Sequence, residues 1–181
     1  MATTLLSRGT DVPATAQTQT IGSHSGLAPH RARLYCGYDA STAEIVATQN
    51  VWNAFPAPST AITTFRQSPD NAISFSTAGG TISFTYARST PAWMEVGTVC
   101  NVVRASGSGT RDLEFQWRVN GTPVGPVRRT HMNGDAQILT GVGWLFLSDG
   151  DVVEPFVRNI ENNANIGITN CTFSFLEDID W

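Results

Sequence analysis

Three histidines, His24, His30 and His131, are the residues of this 181-residue chain best suited to move protons or ligate a metal near neutral pH. Their spacing makes neither a His-x-His pair nor a His-Glu-x-x-His helix, and two of them lie in a segment with no scaffold to preorganise them. All three read as surface residues. Gly22-Ser-His-Ser-Gly26 has the outline of a nucleophile elbow, but His24 stands where serine is needed and no strand precedes it. Gly141-Val-Gly143 begins like a dinucleotide-binding turn, yet Phe146 occupies the third glycine position and a strand pattern follows. Asp149 and Asp151 offer two carboxylates to a calcium ion, although Asp-Gly-Asp is also ordinary turn chemistry, and the turn is the preferred reading. None of the 11 basic residues is lysine, which removes Schiff-base and phosphate-loop lysine chemistry. With no nucleophile, base and orienting group to assemble, no enzymatic activity, cofactor or metal is expected.

Cys36, Cys100 and Cys171 are far apart in sequence, form no Cys-x-x-Cys, and as an odd number cannot all pair within one chain. Trp52, Trp93, Trp117 and Trp144 could line a sugar-binding face, but at strand spacing core positions are the commoner role, and exposure decides between the two. The acidic end Glu177-Asp-Ile-Asp-Trp181 either docks on a basic partner or lets Trp181 cap the domain, packing being preferred.

A hydrophobic content of 41% and a charged content of 14% suit one domain plus an extension. The net charge of -4, with no dense basic patch, argues against nucleic acid as a partner. Leu5-Leu6 is too short for a signal-peptide core or a membrane span, so synthesis in the cytosol as a soluble protein with no membrane partner is expected. Asn120-Gly-Thr and Asn170-Cys-Thr match the glycosylation pattern only by composition on that reading.

Residues 1–33 are rich in Thr, Ala, Ser, Gly and Gln and poor in bulky apolar groups, so by themselves they form an extended N-terminal arm. About 30 extended residues span on the order of 100 Å, enough to cross a neighbouring subunit; the alternative is a terminus without a role. Residues 34–59 read as a connecting segment in which Ser41-Thr-Ala-Glu44 fits a helix-capping box while Ile45-Val46 favours a strand; the spacing is read as a helical turn. Phe55-Pro-Ala-Pro58 then reads as a loop.

From residue 60 to 181 the period is two. Ile73 and Phe75, a Thr77-to-Thr81 turn, and Ile82, Phe84 and Tyr86 predict a hairpin. Trp93 to Arg104 carries apolar groups on both faces, Trp93, Val99 and Val103 against Met94, Val96, Cys100 and Val102, which implies burial on both sides. Leu113, Phe115, Trp117 and Val119 face inward in the next strand, and Asn120-Gly121 supplies the positive-φ pair of a two-residue hairpin. Two further strands, read as an antiparallel hairpin, flank a tight Asp149-Gly150-Asp151 turn. In the last strand Ile166 and Ile168 differ in parity from Cys171, Phe173 and Phe175, which predicts a bulge near Asn170. Eight or nine strands at this turn spacing predict an all-β fold, an antiparallel β-sandwich or jelly roll.

The succession Leu113 to Gly121, Trp144 to Val152, Phe156-Val-Arg-Asn159, Ile166-Gly-Ile168 and Phe173-Ser-Phe175 resembles the C1q/TNF-like jelly roll, in the versions found in tailed-phage virion proteins. The resemblance spans roughly residues 60–176. It implies a homotrimer with one sheet of each protomer around the threefold axis and with Phe173 or Phe175 reaching that axis. The function expected from it is a capsid decoration, or cement, protein on the virion surface. The arm would staple the major capsid protein, with Arg8, Arg31 and Arg33 as its anchors. The alternative is a fibre or tail-tip module recognising a host glycan or protein.

Overall fold

The computed structural model describes residues 31–37, 44–45, 48–57, 62–66, 73–105 and 107–177. Among them β8 (Arg111–Val119) illustrates the rule that builds the whole molecule: Leu113, Phe115 and Trp117 are buried while Asp112, Glu114 and Arg118 alternate with them on the other face. Asn120 (φ 51°) and Gly121 (φ 76°) then adopt the left-handed pair expected of them and reverse the chain into β9 (Thr122–Met132). The hairpin of β5 (Ile73–Ser76) and β6 (Ser83–Tyr86) also forms as the pattern predicts, with Ile82, Phe84 and Tyr86 buried.

The remaining strands are β1 (Arg31–Gly37), β2 (Glu44–Ile45), β3 (Asn53–Ala54), β4 (Ile62–Arg66), β7 (Ala92–Arg104), β10 (Ala136–Leu147), β11 (Val152–Asn159) and β12 (Ile166–Glu177). Two six-stranded sheets result, all of whose pairings are antiparallel. The first runs β10-β7-β12-β1-β4 with β2 beside β12; the second runs β5-β6-β11-β8-β9 with β3 beside β11. From β9 to β12 each strand crosses to the other sheet, while β5-β6 and β8-β9 stay within one as hairpins, a jelly-roll connectivity.

The register of β12 slips against β7 between Ile168 and Asn170. That bulge turns Ile166, Ile168, Cys171, Phe173 and Phe175 onto one buried face, as their change of parity required. Phe173 lies 5.0 Å from Phe84 and 6.0 Å from Phe55, and Phe175 lies 4.8 Å from Phe84, ring to ring. Phe115 and Trp117 complete this aromatic core between the sheets. Cys100 and Cys171 stand opposite each other on β7 and β12, Cα atoms 4.1 Å apart, with their sulfurs bonded; Cys36 occupies the register position across from Cys171 on β1.

Four sequence expectations change. Glu44 belongs to a strand, not a helical turn, because Glu44 and Ile45 pair with Gly167 and Ile166 at the end of β12. The Phe55 to Pro58 stretch is not a free loop: the Phe55 and Ala57 amides donate to Pro155 and Gly80, and the Phe55 carbonyl accepts from Ile82. Pro56 falls between these donors, where no N–H is needed, and Pro58 lies outside the described residues. Residues 31–37 pair on one side with β12 and on the other with β4, so an arm ending at 33 and a connecting segment beginning at 34 cut through a central strand. Finally, β10 and β11 do not form a hairpin. The Asp149-Gly150-Asp151 turn carries the chain from one sheet to the other.

Candidate self-association interface

The first sheet packs one face against the second and leaves the other outward. On β7, Met94, Val96, Cys100 and Val102 are buried, whereas Trp93 and Val99 on the opposite face are about half exposed, at 51% and 53%. Two-sided burial is therefore not achieved within this one chain. On the edge strand β10, Leu139, Leu145 and Leu147 point inward, while Ile138, Val142, Trp144 and Phe146 point outward with 43–54% of their surface exposed.

What positions this outward row is the pair of glycines on the inward face. A Cβ on Gly141 would lie 2.2 Å from the Phe115 ring, and one on Gly143 would lie 3.4 Å from Trp117. At Gly141 the two sheets approach so closely that no inward side chain fits, at Gly143 little more than a methyl would, and the bulky groups of that stretch stand on the outside. The Gly141-Val-Gly143 run thus serves packing, where the sequence had suggested and failed to complete a nucleotide turn.

Register ties the outward groups into a patch. Phe146 pairs with Trp93, their rings 5.4 Å apart, and Trp144 pairs with Glu95. Six large apolar side chains at half exposure make an apolar surface on the order of 500 Å², the upper range of what a solitary soluble domain shows. Beside it the same face is flat. Gly97 lies against Ser174, whose Oγ would be 2.7 Å from an added Cβ, and Thr172, Asn170 and Asn101 continue the small polar strip. The Asn101 amide donates to Asn170 Oδ1 at 2.8 Å.

The remaining candidate residues fall elsewhere. Phe173 and Phe175, expected at a trimer axis, are fully enclosed by the aromatic core, because the outward positions of β12 belong to Thr172, Ser174 and Leu176. Arg31 and Arg33 lie in β1 rather than in an arm, at the register positions of Leu176 and Ser174. Arg8, His24, His30, the Gly22-to-Gly26 motif and Trp181 lie outside the described residues. Of the tryptophans, Trp117 is core, Trp52 stacks under the Arg158 guanidinium at 4.6 Å, and Trp93 and Trp144 stand outward. Sequence reasoning had placed Trp93 and Val99 on one face but missed the row from Ile138 to Phe146. Its signal is a strand whose alternate positions are glycine where the core should be.

The polar clusters are structural in their geometry. Asp151 Oδ2 accepts from the Ser148 amide at 2.8 Å and its Oδ1 accepts from Asn120 Nδ2 at 2.7 Å, so its carboxylate knits two turns together. Asp112 accepts from Arg129 and meets His131 Nδ1 at 2.5 Å; these hydrogen bonds, the one from His131 foremost, hold its carboxyl below the usual carboxylate range. Among the described residues no group of three metal-ligating side chains occurs, and no helix is long and apolar enough to cross a membrane.

No protein-family model and no curated protein matches the chain. Among solved structures it is similar to the PRD1 vertex protein P5 (TM-score 0.50, 11% identity), over 83% of this chain and 97% of that one. Murine APRIL matches with a TM-score of 0.46 and 9% identity over 83% of this chain and 100% of that one. Eiger TNF from S. frugiperda matches with a TM-score of 0.47 and 10% identity over 85% of this chain and 96% of that one. At such identities the likeness is one of fold. The chain is an antiparallel jelly roll, the fold that its strand alternation had indicated.

Proposed function

We propose that this protein is a structural component of a phage virion, a homotrimer that decorates the capsid and is fastened to the major capsid protein by residues 1–30. It acts as building material and performs no catalysis. The observation that carries the reading is the apolar outer face of the β10 and β7 strands, with Trp93, Trp144 and Phe146 at its aromatic end. The PRD1 protein of like fold is a vertex protein, which supports a place on a virion.

The occupant of the face is a second copy of the chain. Covering ~500 Å² on each of two partners removes about 1,000 Å² from water, the lower bound of a specific interface. At about 25 cal/mol per Å² the ~500 Å² of apolar surface contributes on the order of 12 kcal/mol gross, comparable to the roughly 4–15 kcal/mol cost of association. The bulky half of the face fits the flat half of a neighbour's, where Gly97, Ser174 and Thr172 leave room. Three arms tethered to one trimer raise each other's effective concentration and turn weak individual contacts into lasting attachment. Arg8 is the anchor within residues 1–30.

The test is deletion of residues 1–30 in a chain presented to capsids that lack it. The truncated protein should remain an oligomer by sedimentation and fail to bind; full binding by the truncated oligomer sinks the stapling role. A strong band for the protein in purified virions, matching hundreds of copies, is expected of a decoration protein. A faint band would instead favour the fibre or tail-tip reading.

A further inference from the structure

We infer that Glu95 is the charge-registering residue of the interface between copies, and that it pairs there with Arg31 and Arg33 of the neighbouring copy. The inference rests on the self-association proposed above and names the contact that orients it.

Among the described residues Glu95 is the single ionisable one within the apolar patch. It lies on the outward face of β7 with Trp144 as its register partner on β10 and Leu176 as its partner on β12, and it is only partly exposed. Among the described residues it makes no ion pair or hydrogen bond. A free carboxylate flanked by a tryptophan and a leucine is tolerable while water reaches it. Once a second copy covers Trp144, the same carboxylate is taken out of water, at an effective cost of several kcal/mol unless a cation meets it. An interface that buries this patch therefore needs a positive group at one defined place.

The same sheet carries that group on its other side. Arg31 and Arg33 occupy the register positions of Leu176 and Ser174 on β1, and Arg66 on β4 is the partner of Arg33. Three of the chain's 11 basic residues thus stand together along the border of the flat strip. Within one protomer Glu95 and Arg31 are two strand spacings apart, about 10 Å between backbones, with Leu176 between them. When the bulky half of one face meets the flat half of the next, β7 comes over the neighbour's β12 and β1. Acid then meets base, and the apolar row meets Ser174 and Thr172. The complementarity lies between the two halves of one face, so the partner it selects is another copy of this chain.

The experiment measures the oligomer dissociation constant of the full-length chain by analytical ultracentrifugation, with the melting temperature recorded below that constant. Glu95→Arg should weaken association by about thirtyfold or more, the effect of unpairing a buried charge. Glu95→Gln, which keeps shape and fold, should weaken it in the same direction. Adding Arg31→Glu and Arg33→Glu to Glu95→Arg should recover most of the loss. Unchanged association in both Glu95 variants, while the parent chain oligomerises, overturns this inference and leaves the proposed function standing. So does a loss of melting temperature in the dissociated chain with no change in association, which would mark a pairing within one protomer. A parent chain that stays monomeric at every concentration overturns both.

Discussion

Asp112 shows how a single carboxylate ties two strands. It sits on β8 and takes hydrogen bonds from Arg129 and His131 on β9, so the link crosses the edge of the second sheet. Its carboxyl is held below its usual value in the folded chain, so the unfolded chain binds the proton more tightly. The contribution to stability is therefore present above the ordinary carboxylate range and lost as the pH falls below about 4 through the lowered value. Because the cluster is open to water, the loss is expected to be under about 1 kcal/mol. Chemical denaturation between pH 7 and pH 2 should show a shallower acid slope in Asp112→Asn than in the parent chain; equal slopes would remove the cluster from the account. Phe173 and Phe175 teach a second lesson at this scale. Their neighbours Thr172 and Ser174 are polar, and that alternation alone says which face of β12 is core.

At the scale of elements, the pairing of β10 with β8 across the sandwich depends on glycine. Phe115 occupies the volume that a side chain at Gly141 would need, with 2.2 Å between its ring and an added Cβ. Gly141→Ala should destabilise the fold by roughly 1–3 kcal/mol through overpacking, read as a shift of the denaturation midpoint with an unchanged slope. The nearby Gly134, with nothing within 4 Å of an added Cβ, is the control whose alanine variant should be close to neutral. The turns that were legible from the sequence, Asn120-Gly121 and Thr77 to Thr81, are those whose chemistry is local and needs positive φ. The Asp149-Gly150-Asp151 turn was equally clear as a turn. Its destination was not, because the same local geometry serves a hairpin and a crossing between sheets.

For the whole molecule, the outward face of the β10-β7-β12-β1-β4 sheet decides behaviour in solution. Trp144→Asp together with Phe146→Ser should abolish self-association without lowering the stability of the single copy, since both side chains are half exposed and leave no cavity. Light scattering coupled to size exclusion reads the mass; an unchanged mass would place the interface elsewhere. Period-two alternation, turn residues and the parity change before Phe173 were enough to determine an antiparallel sandwich or jelly roll, the inward face of β8 and the bulge of β12, because those signals act between residues close in sequence. Which strands share a sheet, that the boundary drawn between residues 33 and 34 falls inside the strand Arg31–Gly37, and that Trp93, Trp144 and Glu95 stand together were decided only by tertiary structure. Those facts depend on register between segments dozens of residues apart. Such pairings are selected by the packing of the two sheets as a unit, and no local pattern encodes them.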